Sequence, residues 1–139
     1  MSQLYLGLDS STQSLTGVVI DLDSGRVVYD QSINFDKALP HYGTRDGVLR
    51  FEDPTVIHAP PLMWLEALDL LFATMKRDGV ALGNLCAVSG SGQQHGSVYL
   101  NGSAPAIMAG LDPARSLVEN LKGCFSRPTS PVWMDSSTT

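Results

Sequence analysis

Three short segments carry residue types and spacings that can do chemistry. In Leu8-Asp9-Ser10-Ser11-Thr12-Gln13-Ser14 a carboxylate is followed by hydroxyls and an amide. Such a turn can offer backbone N–H groups and hydroxyls to phosphate oxygens while the carboxylate holds a hydrated Mg²⁺ beside them. The rival reading is a plain polar hairpin turn, since Ser, Thr and Asp populate turns through local hydrogen bonds. The GxxxxGK[ST] spacing of a P-loop is missing. In residues 90–96, Gly90, Gly92 and Gly96 flank Gln93, Gln94 and His95. Backbone can approach a ligand closely there, and imidazole and amide groups both donate and accept, which suits sugar hydroxyls. A flexible loop with a satisfied histidine has the same composition. In Trp133-Met134-Asp135-Ser136-Ser137 an aromatic and a carboxylate stand two residues apart. On a strand they would share a face and could line a carbohydrate pocket. A buried core tryptophan with a capping aspartate fits the local sequence equally well.

The elements that must hold these segments can be read from periodicity. Residues 4–9 and 15–22 are apolar runs separated by the polar residues 10–14, and Asp23-Ser24-Gly25 forms a tight connection to a third run at 26–35. This predicts an antiparallel three-strand meander with the first motif in its first turn. Residues 36–54 have prolines, glycines and charges without a period and predict a long surface connection. Pro60 and Pro61 suit a first helical turn, with Leu65, Leu68, Phe72 and Met75 along one face and Gly79 as the stop. Residues 85–89 predict a strand running into the glycine-rich tip, and 97–100 a strand leaving it. Residues 101–127 show only a weak helical pattern at 114–121, and 131–134 form a last short apolar segment.

Composition narrows the function classes. A chain of 139 residues with 43% hydrophobic and 17% charged residues predicts one globular domain. The net charge of −5, without any basic run, leaves no electrostatic footprint for nucleic acid. No apolar stretch approaches the roughly 20 residues of a membrane span, and residues 1–5 lack the start of a secretory signal, so a cytoplasmic protein is expected with no membrane partner. Cys86 and Cys124 match no CxxC spacing and are read as reduced, buried thiols. His41, His58 and His95 are scattered, which speaks against a structural zinc site.

Taken in order, the three motifs resemble the N-terminal lobe of the FGGY carbohydrate kinases, and among them the xylulokinase family. The match is carried by Leu6-Gly7-Leu8-Asp9-Ser10-Ser11-Thr12-Gln13-Ser14, by Ser89-Gly90-Ser91-Gly92-Gln93-Gln94-His95-Gly96-Ser97, and by Pro131-Val132-Trp133-Met134-Asp135-Ser136-Ser137-Thr138-Thr139. Leu62-Met63-Trp64 and Ala67-Leu68-Asp69 fit between them, so the resemblance spans almost the whole chain.

The resemblance implies an α/β fold: a ribonuclease-H-like (actin-like ATPase) lobe whose mixed sheet opens with an antiparallel three-strand meander and is flanked by helices. It implies ATP and Mg²⁺ as cofactors and a ketose as substrate. Asp9 would orient Mg²⁺ through water, and Ser10, Ser11, Thr12 and Gln13 would face the nucleotide phosphates. Gln94 and His95 would contact the sugar, with Trp133 and Asp135 helping to build its pocket. The reaction would transfer the γ-phosphoryl of ATP to D-xylulose, giving xylulose 5-phosphate, a chemistry of positioning and charge stabilisation with a carboxylate accepting the hydroxyl proton.

That base, an Asp in the family, belongs to a segment beyond residue 139, as do the adenine contacts of the second lobe. No catalytic residue is therefore assigned in this chain. Residues 1–139 are expected to form the N-terminal part of the first lobe, to be inactive alone, and to self-associate through apolar surface left uncovered. The alternatives are a non-catalytic sugar- or nucleotide-binding module, a mechanical ATPase lobe of the actin or heat-shock-chaperone type, and an FGGY kinase for gluconate, glycerol or ribulose. The Gln94-His95 pair favours xylulose through the resemblance alone.

Overall fold

The structure, a computed structural model, describes residues 3–137. Thr138 and Thr139, the end of the third motif, lie outside the described residues. The meander forms from β1 (Leu4–Ser10), β2 (Ser14–Asp21) and β3 (Arg26–Asn34), paired antiparallel in sequence. Alternation places Leu4, Leu6, Leu15, Val19 and Ile33 in the core. The third strand stops one residue earlier than its apolar run suggests. Asn34 Oδ1 accepts from the Lys37 amide at 3.1 Å and caps a short helix, α1 (Phe35–Ala38), whose Phe35 is fully buried.

Residues 36–54 are more ordered than their composition predicts. They contain α1, a 3₁₀ turn at Pro40–Tyr42 and β4 (Leu49–Arg50). The organising group is the Asp36 carboxylate, which accepts from Thr44 Oγ1 at 2.7 Å, the Asp46 amide at 2.6 Å and the Gly47 amide at 3.1 Å. Short β5 (Ile57–Ala59) pairs with β4 and leads into α2 (Pro61–Arg77), which has Pro61 in its first turn and ends before Gly79 at φ +85°.

The buried face of α2 differs from the expected one. Met63, Ala67, Leu71, Thr74 and Met75 are buried, whereas Leu65, Leu68 and Phe72 are half-buried. The helix is apolar on more than one side, so periodicity alone does not select the packed face. The sheet selects it: a Cβ on Gly17 of β2 would lie 2.9 Å from Leu71 Cδ2, so the bare glycine backbone lets the helix settle there.

β6 (Leu85–Gly92) adds to β1 in parallel, giving the order β3-β2-β1-β6 in a mixed sheet. It runs to Gly92, past the expected end at residue 89. Beyond the tip, 97–100 form no strand; Leu100 makes a single isolated bridge to Phe125. Two short helices follow, α3 (Ala104–Ala109) and α4 (Leu117–Leu121). α4 starts later than the pattern at 114 because Ser116 and Glu119 close a capping box. The last strand, β7 (Ser130–Pro131), pairs with β5 to complete a second sheet, β4-β5-β7.

Cys124 is fully buried as expected, but Cys86 is exposed on β6; both are free thiols. β6 lies at the sheet edge, and Val88, in register with buried Leu6, is 55% exposed. Among the described residues no helix is long and apolar enough to cross a membrane.

Candidate functional site

The first motif sits where β1 ends. Ser11 donates its amide to the Ser14 carbonyl at 2.9 Å and its hydroxyl to the same oxygen at 3.1 Å, which folds residues 11–14 into a tight turn. Gly47 supports this turn from behind. At φ +78° its backbone approaches so closely that a Cβ would lie 1.9 Å from the Thr12 carbonyl oxygen. The Asp36-centred loop and the turn are therefore packed backbone against backbone, and the Phe35 amide adds a 2.9 Å bond to the Gln13 carbonyl.

Parallel pairing of β1 with β6 brings the second motif beside the first. Asp9 is in register with Ser91, whose Oγ donates to Asp9 Oδ1 at 2.6 Å, and the Gln93 amide donates to the Ser10 carbonyl at 2.9 Å. The chain then turns through His95 at φ +59°, a left-handed conformation uncommon for a residue with a Cβ. The Ser97 amide bonds to the Pro131 carbonyl at 3.1 Å, tying the tip to β7.

The third motif does not continue as a strand. The Asp135 amide donates to the Val132 carbonyl at 2.9 Å, closing a turn that sends Trp133 and Asp135 to different places instead of one shared face. Trp133 is 55% exposed, and its indole Nε1–H donates to Thr12 Oγ1 at 2.9 Å. The Asp135 carboxylate is 3% exposed and consumed internally: Oδ2 accepts from the Ile57 amide at 2.9 Å and lies 3.3 Å from His58 Nε2, while Oδ1 accepts from Ser137 Oγ at 2.7 Å. The Ser137 hydroxyl, then the Ile57 amide, hold this carboxyl below the usual carboxylate range. Its geometry is that of a joint between the β5–β7 sheet and the last turn.

One cleft of about 360 Å³ is lined by Asp9, Ser11, Thr12, Gly92, Gln93, Gln94, His95 and Trp133. Of the residues expected at a site, six line it together: Asp9, Ser11, Thr12, Gln94, His95 and Trp133. Ser10 lines an adjoining cavity. Gln13, exposed in the turn, and Asp135 line neither of these cavities. Ser91 is a neighbour of Asp9 that the sequence does not flag. Its signal is the β1–β6 register, which exists only once the two strands are paired.

The donor set suits a hydrated Mg²⁺ and phosphate oxygens. One Asp9 oxygen is taken by Ser91, whereas Oδ2 has no protein donor among the described residues. No cluster of three or more acidic, His or Cys side chains able to cage a metal occurs among those residues. A single carboxylate beside hydroxyls fits an ion that keeps most of its waters and shares phosphate ligands. His95 and Gln94 line the same cleft, with Trp133 as a wall.

No protein-family model matches the chain. Among curated proteins, Arabidopsis thaliana xylulose kinase 2 is 46% identical over 139 residues, covering 98% of this chain and 24% of that protein. Mouse xylulose kinase is 44% identical over 134 residues, covering 96% of this chain and 24% of its own length. The chain thus spans about a quarter of the relatives it matches. Among solved structures, a xylulose kinase from Brucella ovis superposes with a TM-score of 0.65 at 19% identity, covering 96% of this chain and 22% of that one. The mixed sheet and its helices accordingly have the actin-like ATPase fold of that structure.

Proposed function

From a chain homologous to the xylulose kinases along nearly its whole length, we propose that the full protein transfers the γ-phosphoryl of ATP to D-xylulose and that this segment carries the first wall of the active cleft. The observation that carries the reading is the cleft itself, where Asp9, Ser11 and Thr12 face the same space as Gln94, His95 and Trp133. Bound ATP with Mg²⁺ would supply the transferable phosphoryl group and the charge that neutralises it. The chain's own residues do the rest. The Asp9 carboxylate holds the hydrated ion at the strand end, and the 11–14 turn orients phosphate oxygens. Gln94 and His95 hydrogen-bond ketose hydroxyls, and the Trp133 ring walls the sugar. Ser10 and Gln13 act in the turn backbone, and Asp135 acts by fixing the turn that presents Trp133.

The proton acceptor and adenine contacts lie outside these residues, so the isolated segment is inactive and binds ATP and sugar weakly. Uncovered apolar residues such as Val88 on β6, 55% exposed, drive its self-association, which light scattering over a concentration series reads directly. The full protein works in the cytoplasm. The test is ADP release by the full-length protein with a panel of ketoses. D-xylulose-dependent release that falls about a hundredfold in Asp9→Asn and is weakened in His95→Ala is the expected result. Release that is unchanged by both substitutions overturns the site assignment.

A further inference from the structure

The loop behind the 11–14 turn is built around one carboxylate. The Arg45 amide donates to the Val48 carbonyl at 2.9 Å and the Val48 amide to the Arg45 carbonyl at 3.2 Å, so residues 45–48 close a two-residue hairpin turn. Its central residues, Asp46 and Gly47, both have left-handed φ, 56° and 78°, as a mirror-image turn of this kind requires. Glycine adopts that conformation freely, whereas an aspartate does so at a cost. Asp36 on α1 offsets it. Oδ2 accepts from the Asp46 amide at 2.6 Å, and Oδ1 accepts from the Gly47 amide at 3.1 Å and the Thr44 hydroxyl at 2.7 Å. Successive amides aimed at one point form a concavity for an anion, and here the protein's own carboxylate fills it. Val48, 1% exposed, pins the end of the hairpin in the core.

The hairpin presses on the floor of the cleft. A Cβ added to Gly47 would lie 2.9 Å from the Gln13 Cα and closer still to the Thr12 carbonyl oxygen. Thr12, backed in this way by Gly47, lines the cleft and accepts the Trp133 indole N–H. Phe35, the residue before Asp36, donates its amide to the Gln13 carbonyl at 2.9 Å. Residues 35 and 36 thus hold the turn twice, directly through an amide and indirectly through the hairpin. Asp36 is not among the residues lining the cleft.

We propose that Asp36 is a positioning residue for the nucleotide: by locking the 45–48 hairpin it keeps the 11–14 turn in the one conformation that receives phosphate oxygens. That the turn receives phosphate rests on the kinase reading above; that Asp36 sets the conformation of the turn rests on its three hydrogen bonds and on the approach of Gly47. A site that is in its competent conformation for only a fraction of the time binds its ligand more weakly by that fraction. Loosening the hairpin therefore weakens binding without deleting any contact to the ligand.

The test uses the full-length protein, with ADP release giving the KM values for MgATP and D-xylulose and calorimetry giving MgATP binding without sugar. Asp36→Asn keeps the shape but turns an NH₂ group toward an amide donor. It is expected to raise the KM for MgATP about tenfold, the scale of one lost charge-assisted hydrogen bond. The KM for D-xylulose should rise less, about threefold, through Thr12 and its bond to Trp133. Asp46→Gly removes the left-handed cost at that position, so Asp36→Asn/Asp46→Gly should regain MgATP affinity. A merely structural role lowers the amount of active protein, and hence the apparent kcat, and moves neither KM. That result overturns the proposal, as does a double variant no better than Asp36→Asn. If Asp36→Asn does not fold, Thr44→Val deletes one of the three donors and should raise the KM for MgATP about threefold; an unchanged KM there overturns the proposal equally. A wild type that binds MgATP but phosphorylates no ketose, with that binding weakened by Asp36→Asn, sinks the kinase reading and upholds the positioning role. Normal D-xylulose turnover with both KM values indifferent to Asp36→Asn does the reverse, and a wild type that binds no MgATP removes both.

Discussion

Trp133 and Thr12 stand 121 residues apart in the chain, yet the indole Nε1–H of one donates to the hydroxyl of the other at 2.9 Å. This bond ties the Trp133 wall of the cleft to the turn after β1, and the ring is otherwise 55% exposed. Trp133→Phe keeps the ring and removes the donor; Thr12→Val keeps the shape and removes the acceptor. In the full-length protein each substitution is expected to raise the KM for ketose about fivefold. The double variant should fall short of additivity by about 1 kcal/mol, because both changes delete one bond. Strict additivity in the KM values would show that the two residues act separately.

The close approach of Gly47 to the same turn gives a stability prediction with its own control. Gly47→Ala must place a Cβ where the Thr12 carbonyl oxygen stands and must hold φ at +78°. Gly43 has a similar φ of +69° but nothing within 4 Å of its Cβ position. Gly43→Ala should cost about 1 kcal/mol, the price of a left-handed alanine. Gly47→Ala should cost roughly 3 kcal/mol or more, since backbone has to move. Urea unfolding of the two variants measures the difference, and equal losses would mean that the turn is not braced by this loop.

These relationships mark how far the sequence could be read. The meander was legible because residues 4–34 alternate with period two and its turns carry Ser, Asp and Gly. The three motifs were legible because their residue types are unusual together. What stayed hidden depends on neighbours distant in the chain. The helix 61–77 has apolar residues around more than half of its circumference, so only the Gly17–Leu71 approach decides which of them are buried. Trp133 and Asp135 read as one face of a strand, but a turn from Val132 to Asp135 separates them. Asp36, the anchor of the loop that braces the 11–14 turn, looks like any aspartate after a strand. Its three donors come from residues 44, 46 and 47 and depend on left-handed Asp46 and Gly47, with φ of 56° and 78°.

Asp135 supplies a pH prediction. Its carboxyl is held below the usual range by the Ser137 hydroxyl and then the Ile57 amide, with His58 adding attraction and desolvation opposing. A carboxyl depressed in the folded state stabilises the fold above its unfolded value, and that contribution disappears as pH falls through the folded value. Asp135→Asn should therefore cost about 1 to 3 kcal/mol near pH 7, since a nearly buried acceptor loses charge-assisted bonds. The gap between wild type and variant should narrow steadily as pH is lowered from 5 toward 2. Urea midpoints taken across that range test it, and a gap independent of pH would show that the carboxylate charge contributes nothing.

Asp9 and Ser91 separate the charge of the strand-end carboxylate from its orientation. Ser91 Oγ donates to Asp9 Oδ1 at 2.6 Å across the β1–β6 pair, which fixes the carboxylate rotamer and leaves the other oxygen for a hydrated ion. Ser91→Ala keeps the charge and releases the rotamer. Asp9→Asn keeps the shape and loses the charge that attracts the ion. If Asp9 serves Mg²⁺ through water, Asp9→Asn in the full-length protein should lower kcat by about a hundredfold, the scale of a lost electrostatic contact to the reacting group. It should also raise the Mg²⁺ concentration needed for half-maximal rate. Ser91→Ala should lower kcat by only about threefold, the scale of one loosened hydrogen bond, with its Mg²⁺ requirement nearly unchanged. Titrating ADP release against Mg²⁺ at saturating ATP and ketose distinguishes the two. If Ser91→Ala shifted the Mg²⁺ midpoint as far as Asp9→Asn does, orientation rather than charge would be what the strand end contributes.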